Sequence, residues 1–141
     1  MESKIILIDT DFAWECLSGN EEAVKLMLSG KYEILAISSI TTAELIKGCG
    51  NKQKLAKLHK VISEFHILHP NSEISVRAIE LISTYHLSHN IGINDSYIAS
   101  TCLFYDIELA TCNISDYQYI PKLRLVEHSV QPKRKGWNSF L

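Results

Sequence analysis

The sequence predicts an α/β fold, a single domain whose central, mainly parallel β-sheet is flanked by helices on both faces. Three observations predict it. Short apolar, β-branched runs such as Ile5-Ile6-Leu7-Ile8 lack polar alternation, the pattern of strands buried on both faces. Segments of helical period separate these runs, and strand–helix alternation through one domain builds a parallel sheet. The 141 residues, 46% hydrophobic and 21% charged, suffice for one core and exclude disorder and collagen-like structure.

Residues 4–8 form the first predicted strand, which ends at Asp9. A helix is expected around 12–17 and a second over 21–29, with Asn20 as N-cap, Glu21 and Glu22 favourable in its first turn, and Gly30 as its stop. Residues 32–37 read as the second strand, and 38–42 lead into a helix carrying Ala43, Glu44, Leu45 and Ile46 that ends at Gly48 and Gly50. Leu55, Leu58, Val61, Ile62 and Phe65 recur at helical spacing. His66-Ile67-Leu68-His69 looks like a strand. Asn71 or Ser72 caps a longer helix marked by Ile74, Ala78, Ile79, Ile82 and Tyr85 and ending near Asn90 and Gly92. Asn94 is then expected to cap a helix running to about Tyr105, and residues 107–111 and 123–126 read as short strands. The domain is expected to span 1–130, followed by a basic tail over 131–141.

The net charge of -2 argues, as a total, against a polyanionic partner. Its distribution is uneven. Residues 1–44 hold eight acids and three bases, residues 45–60 five bases and no acid, residues 61–128 eight acids and three bases, and residues 129–141 three bases. The basic block is Lys47, Lys52, Lys54, Lys57 and Lys60, and its plainest interpretation is a solvated helix face. No apolar run approaches the ~20 residues of a membrane span. The first residues are too acidic and the apolar run after them too short for a signal peptide, so the expected compartment is the cytoplasm. Cys16, Cys49, Cys102 and Cys112 form no C-x-x-C pair and read as reduced core thiols. His66/His69 and His86/His89 lack the flanking ligands of a zinc site and read as surface or helix-end residues.

Ligands of parallel sheets bind beyond the carboxyl ends of the strands. That rule selects Asp9, Glu44, Asp95 and Asp116. Each has an ordinary alternative role: Asp9 as an N-cap, Glu44 in a Thr41-x-x-Glu44 capping box, Asp95 as a favourable charge at a helix start, Asp116 as a turn residue. Four carboxylates at one end of a sheet repel by several kcal/mol per close pair, so they raise their pKa values or hold cations. Oxygen-only ligands suit Mg2+ or Mn2+ rather than zinc.

The segments Ile8-Asp9-Thr10-Asp11, Ser38-Ser39-Ile40-Thr41-Thr42-Ala43-Glu44-Leu45-Ile46-Lys47-Gly48, Ile93-Asn94-Asp95-Ser96-Tyr97-Ile98-Ala99-Ser100 and Leu109-Ala110-Thr111-Cys112-Asn113-Ile114-Ser115-Asp116-Tyr117 resemble, in order, the four motifs of PIN domains. The likeness is greatest to the stand-alone ribonuclease toxins of VapC-type toxin–antitoxin systems, and it runs from residue 4 to about 128. Cys112, Tyr117, Ser96 and Ser100 depart from the family's commoner residues without removing an acid.

The resemblance implies a PIN-like nuclease domain that hydrolyses RNA phosphodiester bonds with Mg2+ or Mn2+. It implies catalytic acids Asp9, Glu44, Asp95 and Asp116, with Asp9 and Asp95 as direct ligands and Glu44 and Asp116 acting through water or on a second ion. Thr10, Thr111 and Asn113 would be polar support. A cognate antitoxin and a homodimer follow from the same resemblance. RNA as substrate gives the lysine block Lys47, Lys52, Lys54, Lys57 and Lys60 a second interpretation, as a surface that guides phosphate. Two alternatives stand beside it. Asp9-Thr10-Asp11 after a hydrophobic strand also fits a haloacid-dehalogenase-type phosphohydrolase, with Asp9 as nucleophile and Asp11 as acid/base. A catalytically inactive PIN-like binding module is the other.

Overall fold

The computed structural model describes residues 4–133. β1 (Ile5–Ile8) lies inside a sheet of order β3-β2-β1-β4, in which β2 is Ile34–Ser38, β3 His66–Leu68 and β4 Glu108–Ala110. Every pairing is parallel, with Leu7 opposite Ala36 on one side and Leu109 on the other. The continuous apolar run of β1 follows from this central place. Ile6 and Ile8 face one core, packed with Phe12, Ala13, Trp14, Leu45 and Leu58, whereas Leu7 faces a second core of Leu81, Ile98, Ala99, Cys102 and Tyr117. Parallel neighbours force crossovers, and six helices supply them: α1 (Thr10–Leu17) and α2 (Glu21–Leu28), α3 (Ser39–Lys47) and α4 (Lys52–Ile62), α5 (Ser72–His89) and α6 (Ile93–Tyr105).

Side-chain caps start most of these helices. Asp9 accepts from Phe12 N–H, Ser38 from Ile40 N–H, Asn51 from Lys54 N–H and Asn71 from Ile74 N–H. Two expected caps are corrected. Asn20 holds the cap position of α2, but its side-chain amide donates to Glu15 Oε1 at 3.0 Å and to the Gln131 carbonyl at 2.9 Å, a tertiary tie that outcompetes the local one. Helix α6 starts earlier than expected, with Gly92 as N-cap in extended backbone, so Asn94 lies inside the first turn. The α4 helix stops at Ile62, and Phe65 follows it as a core contact before β3.

The strand expected over 123–126 is reduced to one parallel bridge, Leu125 to Leu109, closed by Leu109 N–H to Arg124 O and Val126 N–H to Leu109 O. A three-residue β4 offers that segment no longer ladder. Beyond it Val130 is buried, and Lys133 N–H donates to Glu15 Oε1 at 2.8 Å, so the start of the expected tail lies against α1. Arg134 and Lys135 lie outside the described residues. No described helix is long and apolar enough to cross a membrane.

Candidate active site

Asp9 leaves β1 at its carboxyl end and is 4% exposed. Both of its carboxylate oxygens are held: Oδ1 accepts from Phe12 N–H at 2.9 Å and Oδ2 from the Thr111 hydroxyl at 2.5 Å. Thr111 directly follows β4, the strand hydrogen-bonded beside β1, which is why residues 102 apart in sequence meet. Burial pushes the Asp9 carboxyl up to about 7; the Thr111 and Phe12 bonds oppose that rise, and the charges of Asp11 and Asp95 add to it.

Glu44 is reached from the next strand. The Thr10 hydroxyl donates to Glu44 Oε1 at 2.7 Å and lies 3.1 Å from the Thr41 hydroxyl. Thr41 sits inside α3, whose cap is Ser38, so the expected alternative of a capping box to Glu44 does not form. Asp95, in the first turn of α6, accepts from the Tyr117 hydroxyl at 3.0 Å. Burial raises the Asp95 carboxyl and the Tyr117 bond opposes it, while Asp116, Glu44 and Asp11 push it further up. Asp116 ends a short 3-10 turn, Ile114–Asp116, and is exposed.

The fold therefore brings the four expected acids to one end of the sheet, each within the electrostatic reach of at least one other. Thr10, Thr111 and Asn113 all bond within this group, Asn113 through its amide to Asp11 Oδ2 at 2.5 Å. The five lysines sit elsewhere, Lys47 in the last turn of α3 and Lys52, Lys54, Lys57 and Lys60 on α4. Among the described residues none of them forms an ion pair or bonds a carboxylate of the site.

Three residues of the site have little or no signal in the sequence. Asp11 belongs to the acid group, and its signal, the Asp9-x-Asp11 spacing, assigns it a role in the sequence only under the phosphohydrolase alternative. Tyr117 is recognisable only as an aromatic after Asp116. His128 has no sequence signal at all. Its Nδ1 accepts from Val130 N–H at 3.0 Å, which leaves Nε2 to carry the proton and donate to the Thr111 carbonyl at 2.7 Å. The imidazole also stands edge-on to Phe12 at 5.2 Å, so it braces both residues that hold Asp9.

The donors are all oxygen, which fits a hard divalent cation. Among the described residues no three carboxylate, imidazole or thiol side chains stand close enough together to hold a metal ion by themselves. Mg2+ characteristically takes one or two carboxylates, keeps several waters and completes its shell with substrate phosphate, so an open set of hydrogen-bonded acids suits it. Burial raises the Cys16 and Cys112 thiols to about 12, so neither supplies a ready thiolate.

The chain matches the PIN domain over residues 6–119. It is 31% identical over 122 residues to Ribonuclease VapC10 of Mycobacterium tuberculosis, covering 85% of this chain and 91% of that protein. VapBC-1 from nontypeable Haemophilus influenzae superposes with a TM-score of 0.75 at 25% identity, covering 87% of this chain and 97% of that one. VapBC2 from Rickettsia felis, bound to a DNA fragment from its promoter, gives 0.73 at 28% identity, covering 86% and 97%. A toxin–antitoxin complex from Klebsiella pneumoniae gives 0.72 at 27%, covering 86% and 96%. With its four acids gathered on a parallel sheet of this order, the chain belongs to the PIN-domain family.

Proposed function

We propose that the protein is a Mg2+-dependent (or Mn2+-dependent) endoribonuclease that hydrolyses RNA phosphodiester bonds in the cytoplasm, and that it is the toxin of a toxin–antitoxin pair. The observation that carries this reading is the placement of Asp9, Glu44, Asp95 and Asp116, joined by Asp11, at the carboxyl end of the sheet, within electrostatic reach of one another. Neutral donors hold Asp9, Asp11, Glu44 and Asp95. Among the described residues no basic side chain pairs with Asp9, Glu44, Asp95 or Asp116. Such clustering is costly without a cation.

Asp9 and Asp95 are assigned as the direct ligands, because burial and fixed hydrogen bonds orient both. Glu44 and Asp116 would act through water or on a second ion. A divalent cation bound there polarises the phosphoryl oxygens, lowers the pKa of an attacking water and stabilises the leaving oxygen. Thr111 and Phe12 N–H keep Asp9 aimed, Thr10 does so for Glu44, and Tyr117 for Asp95. The lysines of α4, with Lys47, supply a surface for the RNA backbone. The phosphohydrolase alternative loses ground to the PIN-domain match and to the role of Asp11, whose carboxylate is engaged by Asn113.

An antitoxin partner is supported by relatives that were solved as toxin–antitoxin complexes. A homodimer is supported by α5, where exposed Val76 adjoins Phe104 of α6, Ile79 is exposed on the same helix, and Arg77 lies between Glu73 and Glu80 without an ion pair within the described chain. Unpaired charges of both signs around an apolar patch suit a two-fold contact between copies. Ile79→Glu is expected to turn a dimer into a monomer by light scattering.

Cleavage of single-stranded RNA by the purified chain tests the function. Activity should require Mg2+ or Mn2+, vanish with EDTA and vanish in Asp9→Asn. A chain that binds RNA or a partner protein but cleaves nothing under any metal is the inactive module instead.

A further inference from the structure

The last turn of α5 carries an aromatic arrangement that the acid site does not use. The His89 imidazole lies flat against the Tyr119 ring, with centroids 3.9 Å apart and planes within 18°. Tyr85, one turn earlier on α5, stands edge-on to His89 at 5.6 Å and tilted against Tyr119 at 5.0 Å. The Ser88 hydroxyl is 2.7 Å from His89 Nδ1 and sets the rotation of the ring. His89 is exposed while Tyr85 and Tyr119 are half-buried, so one face of the imidazole is backed and the other is turned to solvent. This is a flat surface whose side-chain entropy is already spent.

Its place in the fold ties it to the acids. Asn90, in left-handed backbone, ends α5, and three residues later α6 begins, with Asp95 in its first turn. Tyr119 follows Asp116 by three residues, and the charges of Asp116 and Asp95 both act on its hydroxyl, which has no hydrogen-bond partner among the described residues. Ile93 and Ile114, 67% and 46% exposed, flank Asp95 and Asp116 in sequence. The carboxylates whose charge reaches the Tyr119 side of the stack disfavour a phosphate there and favour a π face, while the cations Arg77 and Lys122 line a cavity on the far side of Tyr85. Every nucleobase has such a face when unpaired, and duplex stacking hides it.

We propose that the open face of His89, backed by Tyr119 and Tyr85, seats one unpaired nucleobase of the RNA strand whose phosphate lies at the acid cluster. This assignment rests on the ribonuclease reading above and adds to it a base-binding subsite with a single-strand requirement. Stacking recognises the ring more than its hydrogen-bonding edge, so the seat selects for an unpaired base at a fixed distance from the scissile bond.

The test uses short single-stranded RNAs bearing 2-aminopurine at each position in turn, with the full-length chain in the Asp9→Asn background to prevent cleavage. Fluorescence should be quenched at one or two adjacent positions. His89→Ala should abolish that quench and weaken binding by about 5- to 100-fold, the range for one base–aromatic stack. His89→Phe, which keeps a ring on Tyr119, should recover the quench. An abasic nucleotide at the quenched position should weaken binding to the His89 chain by the same factor and leave the His89→Ala chain unaffected. A His89→Ala chain that binds as tightly as its parent, or loses affinity equally for intact and abasic RNA, overturns the base seat and leaves the ribonuclease reading standing. A wild-type chain that neither binds nor cleaves RNA overturns both.

Discussion

Asp9→Asn should stabilise the metal-free protein while abolishing activity. Asp9 is 4% exposed, and its carboxyl is pushed from 3.8 up to about 7. At about 1.4 kcal/mol per pH unit, holding it ionised in the fold costs on the order of 4 kcal/mol. The sign follows from proton binding. Between pH 3.8 and 7 the folded chain binds a proton at Asp9 that the unfolded chain has released, so stability falls as pH rises through this window and levels off above it. Asparagine removes the charge yet keeps an acceptor for Phe12 N–H and a group facing the Thr111 hydroxyl, which can accept as well as donate. The expected gain in EDTA is near zero at about pH 3.5, grows through about pH 5 and reaches a few kcal/mol at about pH 8, about 10 °C in melting temperature for a chain of this size. Differential scanning calorimetry at the three pH values measures it. Saturating Mg2+ should raise the melting temperature of the wild type and leave Asp9→Asn unmoved. An Asp9→Asn chain that melts at or below the wild type in EDTA at about pH 8 refutes the claim that Asp9 carries an uncompensated charge.

Tyr117→Phe deletes the hydroxyl that Asp95 accepts from while preserving a buried ring, and Mg2+ affinity by titration calorimetry should fall by about 10-fold or more, the worth of one hydrogen bond to a charged group. Replacing Lys52, Lys54, Lys57 and Lys60 with alanine should weaken RNA binding evenly across sequences. Its logarithmic dependence on salt should flatten by about 0.7 for each phosphate no longer neutralised, read from binding isotherms between low and moderate ionic strength. At position 128, glutamine can place an amide donor near that of imidazole Nε2 and asparagine cannot. His128→Gln should therefore retain most of the cleavage rate, whereas His128→Asn should lower kcat with little change in KM, because the Thr111 carbonyl loses its donor.

The acids were legible because parallel-sheet geometry converts sequence position into spatial position: a polar residue that ends a buried strand lies at one end of the sheet. Asp9 obeys this directly, Asp116 follows β4 within six residues, and Glu44 follows because its helix starts at the end of β2; Asp95 ends no strand and opens α6 after the turn from α5. Caps were less legible. Asn51 and Asn71 cap by purely local bonds, but Asn20 turns its amide to Gln131, 111 residues away, and no local rule anticipates that choice. The expected strand at 123–126 failed for a related reason, since strand length depends on the neighbour, and β4 is only three residues long.

The resemblance marked Thr10, Thr111 and Asn113 as polar support; what stayed hidden is which carboxylate each donor holds, and the part taken by Tyr117. Thr111 to Asp9, Tyr117 to Asp95 and Asn113 to Asp11 all run from the segment after β4 to carboxylates placed by other elements. That segment lies beside β1 because β4 pairs with it, so one short stretch, 111–117, contributes Asp116 and also supplies donors to Asp9, Asp11 and Asp95. Neutral donors suit this task better than lysine or arginine would. A fixed cation would neutralise the carboxylates permanently and compete with a divalent ion, whereas a hydroxyl or amide orients an oxygen and leaves its charge in place. His128 extends the logic one step outward: with Nδ1 accepting from Val130 N–H, its Nε2 steadies the Thr111 carbonyl. The described fold thus sets neutral donors, and no base, against Asp9 and Asp95, and it accepts the resulting repulsion, which a bound divalent cation relieves.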